Sequence, residues 1–86
     1  MAYTITFSAH AARAFRKLER PVQARLSEAI EPLKDNPRPH GSEKLKGSDF
    51  IYRIRVGDYR ILYEIIESAL VVYILETGHR REVYRQ

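Results

Sequence analysis

Tyr52-Arg53-Ile54-Arg55-Val56-Gly57-Asp58-Tyr59-Arg60 reads as two β-strands joined by a tight Gly-Asp turn. Side chains alternate along a strand, so Phe50, Tyr52, Ile54 and Val56 share one face and Arg53 and Arg55 share the other. Arg60 follows just after the turn and can project near that pair. Guanidiniums gathered on one surface repel each other, and such a cluster is usually tolerated because a polyanion binds it. Further on, Gly78-His79-Arg80-Arg81-Glu82-Val83-Tyr84 adds a histidine, two more arginines and a tyrosine. A phosphodiester substrate would need that chemical set.

Working outward, three strands are expected at about 50–56, 59–66 and 70–77. Their links, Gly57-Asp58 and Glu67-Ser68-Ala69, are short enough to force an antiparallel meander. In the middle strand Tyr59, Ile61, Tyr63 and Ile65 form one face, with Leu62 and Ile66 on the other, so this strand is expected at the centre of the sheet. Before the meander, Asn36 to Gly47 reads as a loop rich in proline and glycine. Tyr3-Thr4-Ile5-Thr6-Phe7 alternates as a first strand. Ser8 is a good N-cap for a helix running to about Arg20, buried along Ala11, Phe15 and Leu18. Pro21 suits the first turn of a second helix, whose apolar face is Val22, Leu26, Ala29, Ile30 and Leu33. Pro32 removes a backbone donor inside that pattern, which predicts a kink or a loosened last turn. The order β-α-α-β-β-β gives an α+β fold: one domain over 1–86, with a helical hairpin packed on one face of a mainly antiparallel sheet.

The chain has 86 residues, a formal net charge of +4 and no cysteine. A domain of this size is only modestly stable alone, and no disulfide or thiolate metal site supports it. Its pI of about 9.6 suits a nucleic acid or an acidic partner, although many small domains are as basic. The longest apolar run, Leu70 to Leu75, is far too short to span a bilayer, and the N-terminus does not read as a signal peptide. A cytoplasmic protein without membrane contact is the expectation.

The motifs Lys44-Leu45-Lys46-Gly47, Tyr-Arg-Ile-Arg-Val-Gly-Asp-Tyr-Arg-Ile-Leu-Tyr-Glu (52–64) and Gly-His-Arg-Arg-Glu-Val-Tyr (78–84) occur in an order that resembles the RelE/ParE superfamily of bacterial and archaeal toxins. Tyr3 to Phe7, the Ala/Arg-rich helix and Asn36-Pro37-Arg38-Pro39 fit the same pattern. The closer resemblance is to the RelE branch, which implies mRNA cleavage in the ribosomal A site. It also implies neutralisation by an acidic, RelB-like antitoxin, with operator DNA met only through that antitoxin. Neither metal nor cofactor is implied. On this match the active-site basic pair falls on Arg53 and Arg55, the next-strand arginine on Arg60, the late arginine on Arg80 and the tyrosine on Tyr84. Arg81 competes with Arg80 for the late position, because the tail is shorter than the family pattern. Lys44 and Lys46 are RNA-backbone or ribosome contacts on this reading, and solvated loop residues otherwise.

Cleavage of this kind uses the RNA's own 2′-hydroxyl as nucleophile. It needs a base, stabilisation of the phosphorane and a proton for the leaving 5′-oxygen. Arginine suits the second task, staying charged and gripping two phosphate oxygens at once. The best-known family pattern has two lysines where this chain has Arg53 and Arg55, and arginine is a poor general base. That departure turns attention to His79, whose ordinary pKa of about 6.5 fits proton transfer. Each residue has a plainer alternative: a solvated sheet face for the arginines, a surface histidine, a hydrophobic plug for Tyr84. Tyr52, Tyr59, Tyr63 and Tyr73 read as core before base-stacking platforms. No histidine pair has metal-ligand spacing, and Glu64, Glu67 and Glu76 form no obvious catalytic pair. A ParE-like gyrase inhibitor without nuclease activity, and an inactive toxin kept as a co-repressor, are the rival functions.

Overall fold

A computed structural model describes residues 2–79. Strand β1 (Thr4–Phe7) leads into helix α1 (Ala9–Arg16) and helix α2 (Arg20–Ile30). Strands β2 (Glu43–Lys44), β3 (Ile51–Val56), β4 (Tyr59–Ile66) and β5 (Val71–His79) follow. They form one sheet in the order β1-β5-β4-β3-β2, antiparallel throughout except for the parallel β1–β5 pair. The expected α+β architecture is present, with β4 at the centre.

Both helices lie on one face of the sheet. Ala11, Leu26, Ile30 and Leu33 meet Ile54, Ile61, Tyr63, Ile65, Val72 and Ile74 in a single core. This is the alternation of β4 and the helical spacing of α2 expressed as packing, and burial of these apolar surfaces is the main stabilising term. Ser8 caps α1, its Oγ accepting from the Ala11 amide at 3.0 Å. Pro21 sits in the first turn of α2 as its fixed φ favours. At Pro32 the helix tightens into a 3-10 turn over Glu31–Lys34, the loosened last turn expected of a missing donor.

Helix α1 ends at Arg16, four residues before the expected Arg20. The reason lies across the hairpin: the Gln23 amide of α2 donates to the carbonyls of Phe15 at 2.9 Å and Leu18 at 3.0 Å, turning the chain early. The region read as loop contains β2, a two-residue edge strand paired with Tyr52 and Arg53. Phe50 lies outside β3 and is 58% exposed, because Ser48 accepts from the Phe50 and Ile51 amides and holds the chain in a bend there. Tyr63 is fully buried and its hydroxyl donates to the Pro37 carbonyl at 2.7 Å, fixing the loop to the core. Tyr52 stacks on Tyr63, and Tyr52 and Tyr59 pack against the core. Tyr73 pairs with Glu64 on the far face, outside that core.

Candidate functional site

The β3–β4 hairpin builds the site. Gly57 opens its turn with φ +60, a conformation that costs glycine little and other residues strain, at the first central position of a II′-type turn. The two-residue turn fixes the register: Arg55 stands opposite Arg60, and Arg53 opposite Leu62. Directly opposed residues of an antiparallel pair share a face, so Arg53, Arg55 and Arg60 lie together on the side of the sheet away from the helices. On the next strand Gly78 lies across from Arg60 and brings no side chain.

Strand β2 completes the site with a residue that sequence reading missed. Glu43 pairs with Arg53 in the ladder, and Arg53 Nη2 donates to Glu43 Oε1 at 2.5 Å. That hydrogen bond, helped by the positive charges of Arg53, Arg55 and Arg60, holds the Glu43 carboxyl below its usual range. A cleft of about 340 Å³ is lined by Gly41, Glu43, Arg53 and Arg55. Arg60 is only 3% exposed. Among the described residues the arrangement is a concave cationic surface that includes the Glu43 carboxylate. A phosphodiester could replace that carboxylate on Arg53, since both present the paired oxygens a guanidinium fork binds.

Other expected residues fall elsewhere. Lys44 pairs with Tyr52, so the pleat directs it to the opposite face from Arg53, and its ammonium lies 4.0 Å from Asp49. Lys46 is exposed beyond β2. His79 pairs with Tyr59, one step out of phase with Gly78, and its ring meets the Tyr59 ring edge-on at 5.7 Å. The pleat therefore brings His79 to the Tyr59 side, out of phase with Arg60. Arg80, Arg81 and Tyr84 lie outside the described residues. Among the described residues no group of three His, Cys, Asp or Glu side chains could hold a metal ion, and no helix is long and apolar enough to cross a membrane.

A second polar cluster ties down the far end of the sheet. Arg38 donates to Glu67 at 2.8 Å and to the Tyr52 hydroxyl at 3.1 Å, and Tyr3 donates to Glu67 at 2.6 Å. Its sequence signal is weak, because Tyr3, Arg38 and Glu67 are far apart in the chain. It joins β1, the loop and the β4–β5 link, away from the arginine face.

Comparison with known proteins follows the same lines. Residues 3–84 match the family described as "ParE toxin of type II toxin-antitoxin system, parDE". The chain is 31% identical over 90 residues to the mRNA interferase toxin RelE of Escherichia coli strain K12, covering 100% of this chain and 94% of that protein. The fold superimposes on the isolated E. coli RelE toxin in its P21 crystal form with a TM-score of 0.84 at 31% identity, covering 98% of this chain and 93% of that one. On the toxin in the archaeal RelE–RelB complex of Pyrococcus horikoshii OT3 the TM-score is 0.80 at 28% identity, covering 93% and 97%. The chain thus belongs to the RelE/ParE superfamily of type II toxin–antitoxin toxins, on its RelE-like branch.

Proposed function

We propose that this protein is the toxin of a type II pair and acts as a metal-independent endoribonuclease, cleaving mRNA in the ribosomal A site. The observation that carries the reading is the convergence of Arg53, Arg55 and Arg60 on one face beside a cleft. The mRNA 2′-oxygen loses its proton and attacks the adjacent phosphorus. A 2′,3′-cyclic phosphate forms, the bond to the 5′-oxygen breaks, and that oxygen takes up a proton. Charge rises on the non-bridging oxygens during the attack, and the three guanidiniums stabilise it. They stay protonated and accept no proton. Proton transfer falls to His79 or to ribosomal groups; Arg80, or Arg81 in its place, adds a further charge on the phosphate, and Tyr84 orients or stacks on a base, as the family pattern implies. Lys46 and the basic surface give a ribosome-bound substrate further phosphate contacts, and the ribosome places the reaction in the cytoplasm.

The toxin of the P. horikoshii complex is held by RelB. For this chain the matching partner is an acidic, RelB-like antitoxin, attracted by a net charge of +4. Contact with operator DNA runs through it.

A ParE-like gyrase inhibitor is the second reading, favoured by the description of the matched family. Primer extension on an mRNA translated with and without the induced protein separates the two. Cuts within codons of the translated message support the nuclease. Intact message accompanied by DNA damage overturns it.

A further inference from the structure

Arg25 is the residue of interest. It lies on α2 next to the fully buried Leu26, so its stem starts close to the sheet, and α2 packs against β3. Its guanidinium rests over the β3–β4 turn. A Cβ added to Gly57 would stand 2.5 Å from Arg25 Nη2. Gly57 accepts φ +60, and the tip of a guanidinium from another element rests in the space a Cβ there would take. Arg25 is exposed, and among the described residues no carboxylate pairs with it, not even Asp58 in the same turn.

Arg55 and Arg60 face each other one ladder step behind the turn. At about 3.3 Å per residue, Gly57 lies only some 6–7 Å beyond Arg55. That is a short step for an extended single strand leaving the arginine face over the hairpin tip. Gly57 raises no side chain in its way, and the other turn residue, Asp58, is exposed and carries a carboxylate.

We infer that Arg25 is an RNA phosphate-binding residue, extending the arginine face over the Gly57 turn onto a phosphate next to the cleaved one. It does not touch the reacting atoms. The inference rests on the nuclease reading for the word "cleaved", but its binding arm stands without it. The phosphate belongs to the message or to ribosomal RNA, and the test separates them.

Binding is measured to programmed ribosomes whose A-site codon carries 2′-O-methyl groups, which block cleavage, across a range of salt. Arg25→Ala should bind about tenfold more weakly, with a salt slope shallower by about 0.7–0.9, the share of one phosphate contact. Arg25→Lys should keep the slope. With unmodified message, Arg25→Ala should raise the half-saturating concentration and leave the saturated single-turnover rate unchanged. Neutralising one message phosphate beside the cleavage site as a methylphosphonate should weaken wild type but not Arg25→Ala. A changed slope with no such coupling assigns the contact to ribosomal RNA. Equal affinity and equal slope for wild type and Arg25→Ala overturn the inference. Wild type that binds but leaves unmodified message whole sinks the nuclease reading alone, because the Arg25 comparison is still read from binding.

Discussion

Tyr63→Phe tests how the loop that leads into the cleft is held. The Tyr63 ring is fully buried on β4, and its hydroxyl donates to Pro37 O at 2.7 Å. Phenylalanine keeps the ring and removes only the donor. Losing the bond and stranding a buried carbonyl costs about 1–3 kcal/mol. For a chain of 86 residues, each kcal/mol lowers the melting temperature by about 4–8 °C, so a fall of roughly 5–20 °C is expected. Thermal unfolding followed by circular dichroism reads it. The pH dependence gives a second signature. Burial pushes the Tyr63 phenol up to about 12 from an ordinary value of 10.0. The folded state holds this proton more tightly than the unfolded chain. Its contribution is therefore complete below about pH 10 and is lost as pH rises towards 12. Tyr3, raised by its hydrogen bond to Glu67, adds to the same alkaline loss, so Tyr63→Phe should shrink it without abolishing it. A variant that melts within about 1 °C of wild type, with an unchanged alkaline limb, would refute the buried anchor.

Arg55→Ala and Arg60→Ala should each slow single-turnover cleavage by at least about tenfold, the loss expected when a charge contact to the transition state is removed. Arg60 is 3% exposed, so Arg60→Met, which keeps an apolar stem, serves as its folded control under circular dichroism. Glu43→Gln removes the carboxylate held by Arg53 and should tighten RNA binding and steepen its salt dependence by up to about 0.7; identical binding isotherms would mean that Glu43 does not compete with phosphate. Copurification should recover an acidic antitoxin whose affinity drops in the Arg53→Glu plus Arg55→Glu variant, and unaffected binding would move that contact off the arginine face. If His79 transfers a proton, His79→Ala should slow cleavage and change the shape of its pH–rate profile; superimposable profiles would make it a bystander.

What the sequence made legible was the part written in local periodicity. Alternation along 59–65 marked β4 as central, and the glycine turn at 57 set the register that opposes Arg55 to Arg60. The helical spacing of Leu26, Ile30 and Leu33 gave the buried stripe. What stayed hidden depends on contacts between distant elements. Gln23 shortens α1 by capping carbonyls across the hairpin, and nothing in the first helix announces it. Glu43 joins the arginines only because a two-residue edge strand pairs there, too short for any periodic signal. The side on which His79 falls stayed hidden for a similar reason. Strand β5 runs two residues past its expected end, and a register shift opposite Leu62 and Tyr63 resets which residues share a face. Arg25 reads as one more solvated helix cation until the turn beneath its guanidinium is known.

The central claim is that Arg53, Arg55 and Arg60 hold and stabilise a scissile RNA phosphate. Its most direct test is single-turnover cleavage of a message in a programmed ribosome complex with a defined A-site codon. Wild type is compared with the folded Arg55→Ala plus Arg60→Ala variant. The expected result is a cut within that codon, a 2′,3′-cyclic phosphate on the upstream fragment, and a rate at least about a hundredfold lower in the variant, the product of two losses of about tenfold. An intact message with wild type, or equal rates for the two proteins, would contradict it.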